Sequence, residues 1–428
     1  MNNSKKRSTV YDEKKKMVTL TLVASMVLTA FNKLEVSAAK QPYQDMDYNL
    51  DIVSEEDWEK TKSGEYPLDF ETDEVENLSY TEAIVACDMP DEYAKELSTE
   101  ELVDYAMEYP FLTDVYFFDS IKEGMETLEM KSGLFKELFS REDGMHELLK
   151  EYSELNCDYD EVIDNYDLTE SDYDAELFIE EYIGANYDSL SEKQAEKFIE
   201  KYGENYEDMP DELKDAEVCT SMYEVMDETL GYIPEDAIPE NLADDIASGE
   251  HAGASFLSLY SELCGVCGAG GFRGTQAIQG KSISCFKHNS EASTATLNIW
   301  NANLKSYATR YGWDILRYST AKYNCHSYAW YSTASKNSLC LDANSSVASI
   351  YQDTSYWTKW RVPMRNIKSG DRITFSTSTT VSSLQHSAIA TSSTKCKSKL
   401  GHLGVVKSSI IDMKSLYGAN TVNYYLAK

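Results

Sequence analysis

Asn324-Cys325-His326-Ser327-Tyr328-Ala329-Trp330 places a cysteine at what reads as the first turn of a helix. Ser369-Gly370-Asp371-Arg372-Ile373-Thr374-Phe375 follows as a turn entering a short strand, and His386-Ser387-Ala388-Ile389-Ala390 as a second strand headed by a histidine. A thiol and an imidazole on rigid backbone are the parts of covalent acyl transfer: sulfur attacks a carbonyl and the ring manages the proton. The thiolate is the reactive form, and unpaired amides at a helix N-terminus favour it. Asn324 is a good N-cap residue, and the same amides would receive the oxyanion formed on attack. Against this stands the ordinary fate of a lone cysteine, burial or a disulfide.

Three histidines compete to serve Cys325. His386 follows the Gly-Asp turn and strand directly and is the expected base. His402, in Leu400-Gly401-His402-Leu403-Gly404-Val405-Val406, is the expected third group, holding the imidazole in its useful tautomer. It also competes as the base, with His386 then structural. His326 adjoins the nucleophile but on a helix points about 100° away from it.

The order of cysteine-headed helix, Gly-Asp turn with strand, and histidine-headed strand resembles the NlpC-type and CHAP-type amidases and peptidases of the papain-like superfamily. The resemblance covers roughly residues 320–410. It implies Cys325 as nucleophile, His386 as base, and peptide bonds of cell-wall peptidoglycan as a common substrate. Asn-Cys-His-Ser stands where the family has Asp-Cys-Ser-Gly, and Ala388 where a glycine is common, so the substrate class is the part of the resemblance that these residues carry least.

The elements holding this constellation differ along the chain. Met17 to Phe31 is an apolar run behind a basic head, and Val36-Ser37-Ala38 supplies small residues for cleavage. Residues 1–38 are therefore expected to be a signal peptide, and the protein secreted or associated with the cell surface without a stable membrane span. Residues 39–250 are expected to form an acidic all-helical domain, and 251–428 the papain-like thiol hydrolase domain. The charge split marks that division: 20 Lys+Arg and 67 Asp+Glu up to residue 250, net −47, then 19 and 7, net +12.

In the acidic half, Ser98-Thr99-Glu100-Glu101 is a capping box, and Leu102, Tyr105, Ala106 and Tyr109 share one helical face before Pro110. Ala195, Phe198, Ile199 and Tyr202 repeat the spacing, with Gly203 expected to end the helix. Beyond residue 250, Gly268-Ala269-Gly270-Gly271 reads as a joint, Leu297 to Tyr311 as a helix, and Arg372–Ser376, His386–Thr391, His402–Lys407 and Val422–Leu426 as strands. The fold class is thus α+β, a helix packed on a small antiparallel sheet behind a helical domain.

Nine cysteines in an exported chain leave one unpaired. Cys264, Cys267, Cys285 and His288 have the spacing C-x2-C-x17-C-x2-H, compatible with structural zinc, but export favours disulfides there. No cofactor and no metal are expected, and nucleic acid is not an expected partner, since no clustered basic helix appears. The expected function is a secreted cysteine-dependent amidohydrolase or peptidase acting on peptidoglycan peptides or other peptide amides. The alternative is a non-catalytic secreted or surface binding protein built on a degenerate papain-like domain. The acidic half reads either as a solvated helical domain or as one that docks on the basic half and covers Cys325, drawn by opposite charge.

Overall fold

Local signals in the acidic half mature into helices whose ends the side chains themselves close. Ser98 accepts the Glu101 amide while Glu101 returns to the Ser98 backbone, and the helix Thr99–Met107 buries Leu102, Tyr105 and Ala106. Ser79 with Glu82 and Ser191 with Gln194 repeat the device. The computed structural model describes residues 53–59, 61, 64–68, 78–165, 172–213, 271–288, 290–341, 345–360, 367–378 and 383–427. The expected signal peptide and the expected boundary at residue 250 both lie outside these.

The helices are α1 (Glu55–Trp58), α2 (Tyr80–Ala86), α3 (Asp91–Glu96), α4 (Thr99–Met107), α5 (Ile121–Lys131), α6 (Gly133–Ser140), α7 (Gly144–Glu154), α8 (Tyr159–Asn165), α9 (Asp172–Ala185) and α10 (Glu192–Asp208). Then come α11 (Thr294–Tyr311), α12 (Cys325–Trp330), α13 (Ser345–Tyr351) and α14 (Ile410–Leu416). Gly203 does not end α10: Phe198 and Tyr202 are buried, Asn205 Nδ2 donates to Glu176, and the helix runs on until Pro210 approaches.

Every described strand lies after residue 270 and pairs antiparallel with its neighbours, so the fold is α+β. β1 (Gly271–Ile278), β2 (Lys281–His288) and β4 (Leu339–Leu341) make a three-stranded sheet. β3 (Asp314–Arg317), β5 (Trp357–Trp360), β6 (Arg372–Ser376), β7 (Leu384–Ala390), β8 (Lys395–Lys399), β9 (Val405–Ser409) and β10 (Thr421–Ala427) make a seven-stranded sheet in the order β3-β9-β8-β7-β6-β10-β5. Among the described residues no helix is long and apolar enough to cross a membrane.

Asp45–Lys428 form one compact unit, so the described parts of the two expected domains share a core. Asp114, on the 3-10 turn Leu112–Phe117, accepts from Tyr80 Oη at 2.6 Å, Tyr307 Oη at 2.8 Å and Lys131 Nζ at 3.3 Å. Lys131 also donates to the Leu416 carbonyl at 3.2 Å. Trp313 Nε1 donates to Asp412, and Thr81 bonds Ser415. Phe117 meets Tyr307 edge to face at 4.7 Å between centroids. The contact is aromatic and buried, so opposite net charge is not what holds it. Separating the chain at residue 250 would bare Tyr307 and Trp313 rather than release a shield from a finished domain.

Candidate active site

Asn324 sets the start of α12. Its backbone is extended, its Oδ1 accepts the Ser327 amide at 3.1 Å, and all six residues of the helix are buried. Cys325 therefore stands at a capped helix start, but the helix is short and the side chain is only 1 % exposed. Burial pushes the thiol well above its ordinary value, the Asp119 carboxylate pushes it further, and the Ser387 amide and Lys399 oppose them. The expected thiolate is thus not the resting form: six residues of helix do not outweigh a dry environment with an anion beside it.

His386 lies on β7 next to Ser387. Ser387 Oγ faces α12, engaging His326 Nδ1 at 2.9 Å and the Trp330 indole N–H at 2.9 Å. Successive strand residues point to opposite faces, so the His386 ring lies on the other side. There it stacks on Tyr417, centroids 3.9 Å apart and planes 10° apart, with Phe375 at 5.8 Å. Burial, then the nearby His326 and Lys399, hold its imidazole well below the usual range. His386 Nε2 is buried without a hydrogen-bond partner.

The structure puts His402 in the turn before β9, since the strand begins at Val405. Its ring lies 5.0 Å from Trp300 and its amide donates to the Tyr116 carbonyl at 3.1 Å. Among the described residues no hydrogen bond joins His402 to His386. His326, expected to point away, is the histidine brought to the thiol. A ring nitrogen of His326, the Cys325 sulfur and an Asp119 carboxylate oxygen lie within 4.8 Å of one another.

Asp119 carried no signal in the sequence, standing some two hundred residues from Cys325. It arrives because the segment 116–119 crosses the site. The Tyr116 carbonyl accepts from the His402 amide, the Phe117 carbonyl from Tyr417 Oη at 2.8 Å, and Asp119 Oδ2 from Asn324 Nδ2 at 2.7 Å. At Gly401 a Cβ would come within 2.0 Å of the Phe118 carbonyl oxygen, so only glycine lets the two loops meet.

Glu123, one turn of chain beyond Asp119, is pushed up to about 8 by burial and then by the charges of Asp119 and Glu126. Its folded value lies above its unfolded one, so stability is present at low pH and lost as pH rises through the window from 4.5 to about 8. Glu123→Gln should leave the urea midpoint nearly unchanged at about pH 4 and raise it at about pH 9. Equal midpoint shifts at both values would contradict the assignment. His326, pushed down to about 3 by burial, acts the other way, its contribution lost as pH falls below 6.5.

The C-x2-C-x17-C-x2-H pattern does not assemble as written. Cys264 and Cys267 lie outside the described residues. Cys285 and His288 fall on opposite faces of β2 by strand alternation. His288 Nε2 instead meets Cys340 Sγ at 3.2 Å, because Phe286 pairs with Cys340 across β2 and β4. Among the described residues no disulfide joins Cys87, Cys157, Cys285, Cys325, Cys340 or Cys396.

Compared with known proteins, the chain matches no family model, no curated protein and no solved structure.

Proposed function

We propose that the protein is a secreted cysteine-dependent amidohydrolase or peptidase, with Cys325 as nucleophile and His386 as base. The observation that carries the reading is Ser387, the strand position next to His386, whose Oγ holds His326 Nδ1 and the Trp330 indole N–H, each at 2.9 Å, on the helix that Cys325 opens. That tie seats the capped helix start of Cys325 against the strand that carries His386, an arrangement that resembles NlpC-type and CHAP-type enzymes. The substrate follows from the same resemblance: peptide amides, peptidoglycan peptides among them.

In this conformation the pair rests uncharged. The thiol is raised and the imidazole depressed, so catalysis requires the segment 116–119 to yield, water or substrate to enter, and the His386 ring to leave its stack on Tyr417 for the sulfur. The acidic half is on this reading part of the site and a restraint on it, through Asp119. His402 then supports the covering segment, with His386 oriented by Tyr417. The near-complete burial of Cys325 and His386 is what favours the rival reading, a binding protein without activity.

Asp119→Asn tests the restraint. Removing the anion that raises the thiol should speed iodoacetamide alkylation of Cys325 and shift its onset to lower pH. An unchanged rate and onset, with other cysteines labelling first in both proteins, would sink the proposal.

A further inference from the structure

A carboxylate, a thiol and an imidazole that converge in a buried place are also the donor set of a metal centre. We propose that Asp119, Cys325 and His326 bind one zinc-type divalent cation, and that the loaded site is the blocked form of the enzyme. The blocking consequence rests on Cys325 being the nucleophile; the ligation does not.

The three donor atoms lie within 4.8 Å of one another. Zinc bonds of about 2.0–2.3 Å put tetrahedral ligands roughly 3.3–3.8 Å apart, so a small inward movement closes the shell. Sulfur and nitrogen donors select zinc-like ions over calcium or magnesium. Three protein ligands leave a fourth position open.

The independent observation is His326. Its side chain is fully buried, Nδ1 is held by Ser387 Oγ at 2.9 Å, and among the described residues Nε2 has no hydrogen-bond partner. An imidazole anchored through one nitrogen with the other idle is the usual preparation of a metal ligand. Ser387 is itself pinned by the Trp330 indole, so the ring has little freedom. Asn324 Nδ2 supports the carboxylate in the same way.

Charge fits as well. Asp119 sets negative charge beside the thiol, and Lys399, whose Nζ donates to the Gly401 carbonyl at 2.6 Å, opposes it. Binding displaces the thiol proton to solvent and forms one metal–sulfur bond, with no change of oxidation state. The sulfur so engaged cannot attack a carbonyl.

The full-length mature chain, reduced and freed of metal, should be titrated with Co2+ and then Zn2+. One Co2+ per chain should give a near-ultraviolet thiolate-to-cobalt absorbance, absent in Cys325→Ser and about tenfold weaker in affinity in Asp119→Asn. In unmodified protein Zn2+ should slow Cys325 alkylation about tenfold or more, a readout that needs no variant. No absorbance in the unmodified chain, undiminished absorbance in Cys325→Ser, or alkylation indifferent to Zn2+ would overturn the site. Absorbance lost in Cys264→Ser but kept in Cys325→Ser would move it to the C-x-x-C segment. Cysteine reactivity without metal binding would remove this inference and leave the hydrolase reading standing.

Discussion

Lys131→Ala is expected to destabilise the fold by about 3–5 kcal/mol, the usual cost of stranding one partner of a buried ion pair. The Lys131 and Asp114 side chains are 1 % and 0 % exposed. Burial draws each toward its neutral form, lowering Lys131 and raising Asp114, while their mutual attraction resists. Alanine would leave Asp114 with the Tyr80 and Tyr307 hydroxyls alone and the Leu416 carbonyl without the Lys131 donor. Lys131→Met paired with Asp114→Asn should recover much of the loss, because removing both charges leaves nothing uncompensated. Urea unfolding of the single and double variants measures the coupling. A loss under about 1 kcal/mol would mean that solvent reaches the pair.

The larger functional effect is expected at Cys325 and His386. With soluble muropeptides and peptide amides as substrates, Cys325→Ala should abolish turnover, since no other group takes the acyl chain. His386→Ala should lower it by about 10²–10⁴, the range of a lost general base. His326→Ala should cost far less, because Ser387 Oγ holds its Nδ1 at 2.9 Å and the resemblance gives the base role to His386. Rates that fall with His326 and not with His386 would reassign the base to the ring nearest the sulfur.

The features legible in the sequence were those that neighbouring residues decide. Ser98 and Glu101 cap α4 by themselves, and Asn324 caps α12 with the Ser327 amide three residues on. The helix expected from Leu297 to Tyr311 runs Thr294–Tyr311 and ends where Gly312 takes φ +63°. What escaped depended on distant partners. Gly203 did not stop α10 because buried Phe198 and Tyr202 and the Asn205 contacts carry the helix past it.

The β1–β2 hairpin begins at Gly271, and the rest of the expected joint at residues 268–270 lies outside the described residues. Its turn is Gln279-Gly280, both at positive φ, which a rigid reading of Gln would not allow. The site shows the same division. The capped helix start at Cys325 could be read locally, and so could a strand through His386, although β7 begins two residues before the histidine expected to head it. Asp119, the restraint on the thiol, could not, because it reaches the site through the buried contact of Asp114, Phe117 and Tyr417 with their partners. The spacing of Cys285 and His288 suggested one cluster, and strand alternation separates them.

The central claim is that the Cys325 sulfur carries the acyl group. It is tested most directly by acid-quenching the protein during turnover of muropeptides or peptide amides and mapping covalent adducts by mass spectrometry. The account predicts a thioester on the peptide containing Cys325, accumulating in His386→Ala if deacylation slows more than attack, and absent in Cys325→Ala. Turnover that persists in Cys325→Ala, or an adduct carried by another residue, would contradict it.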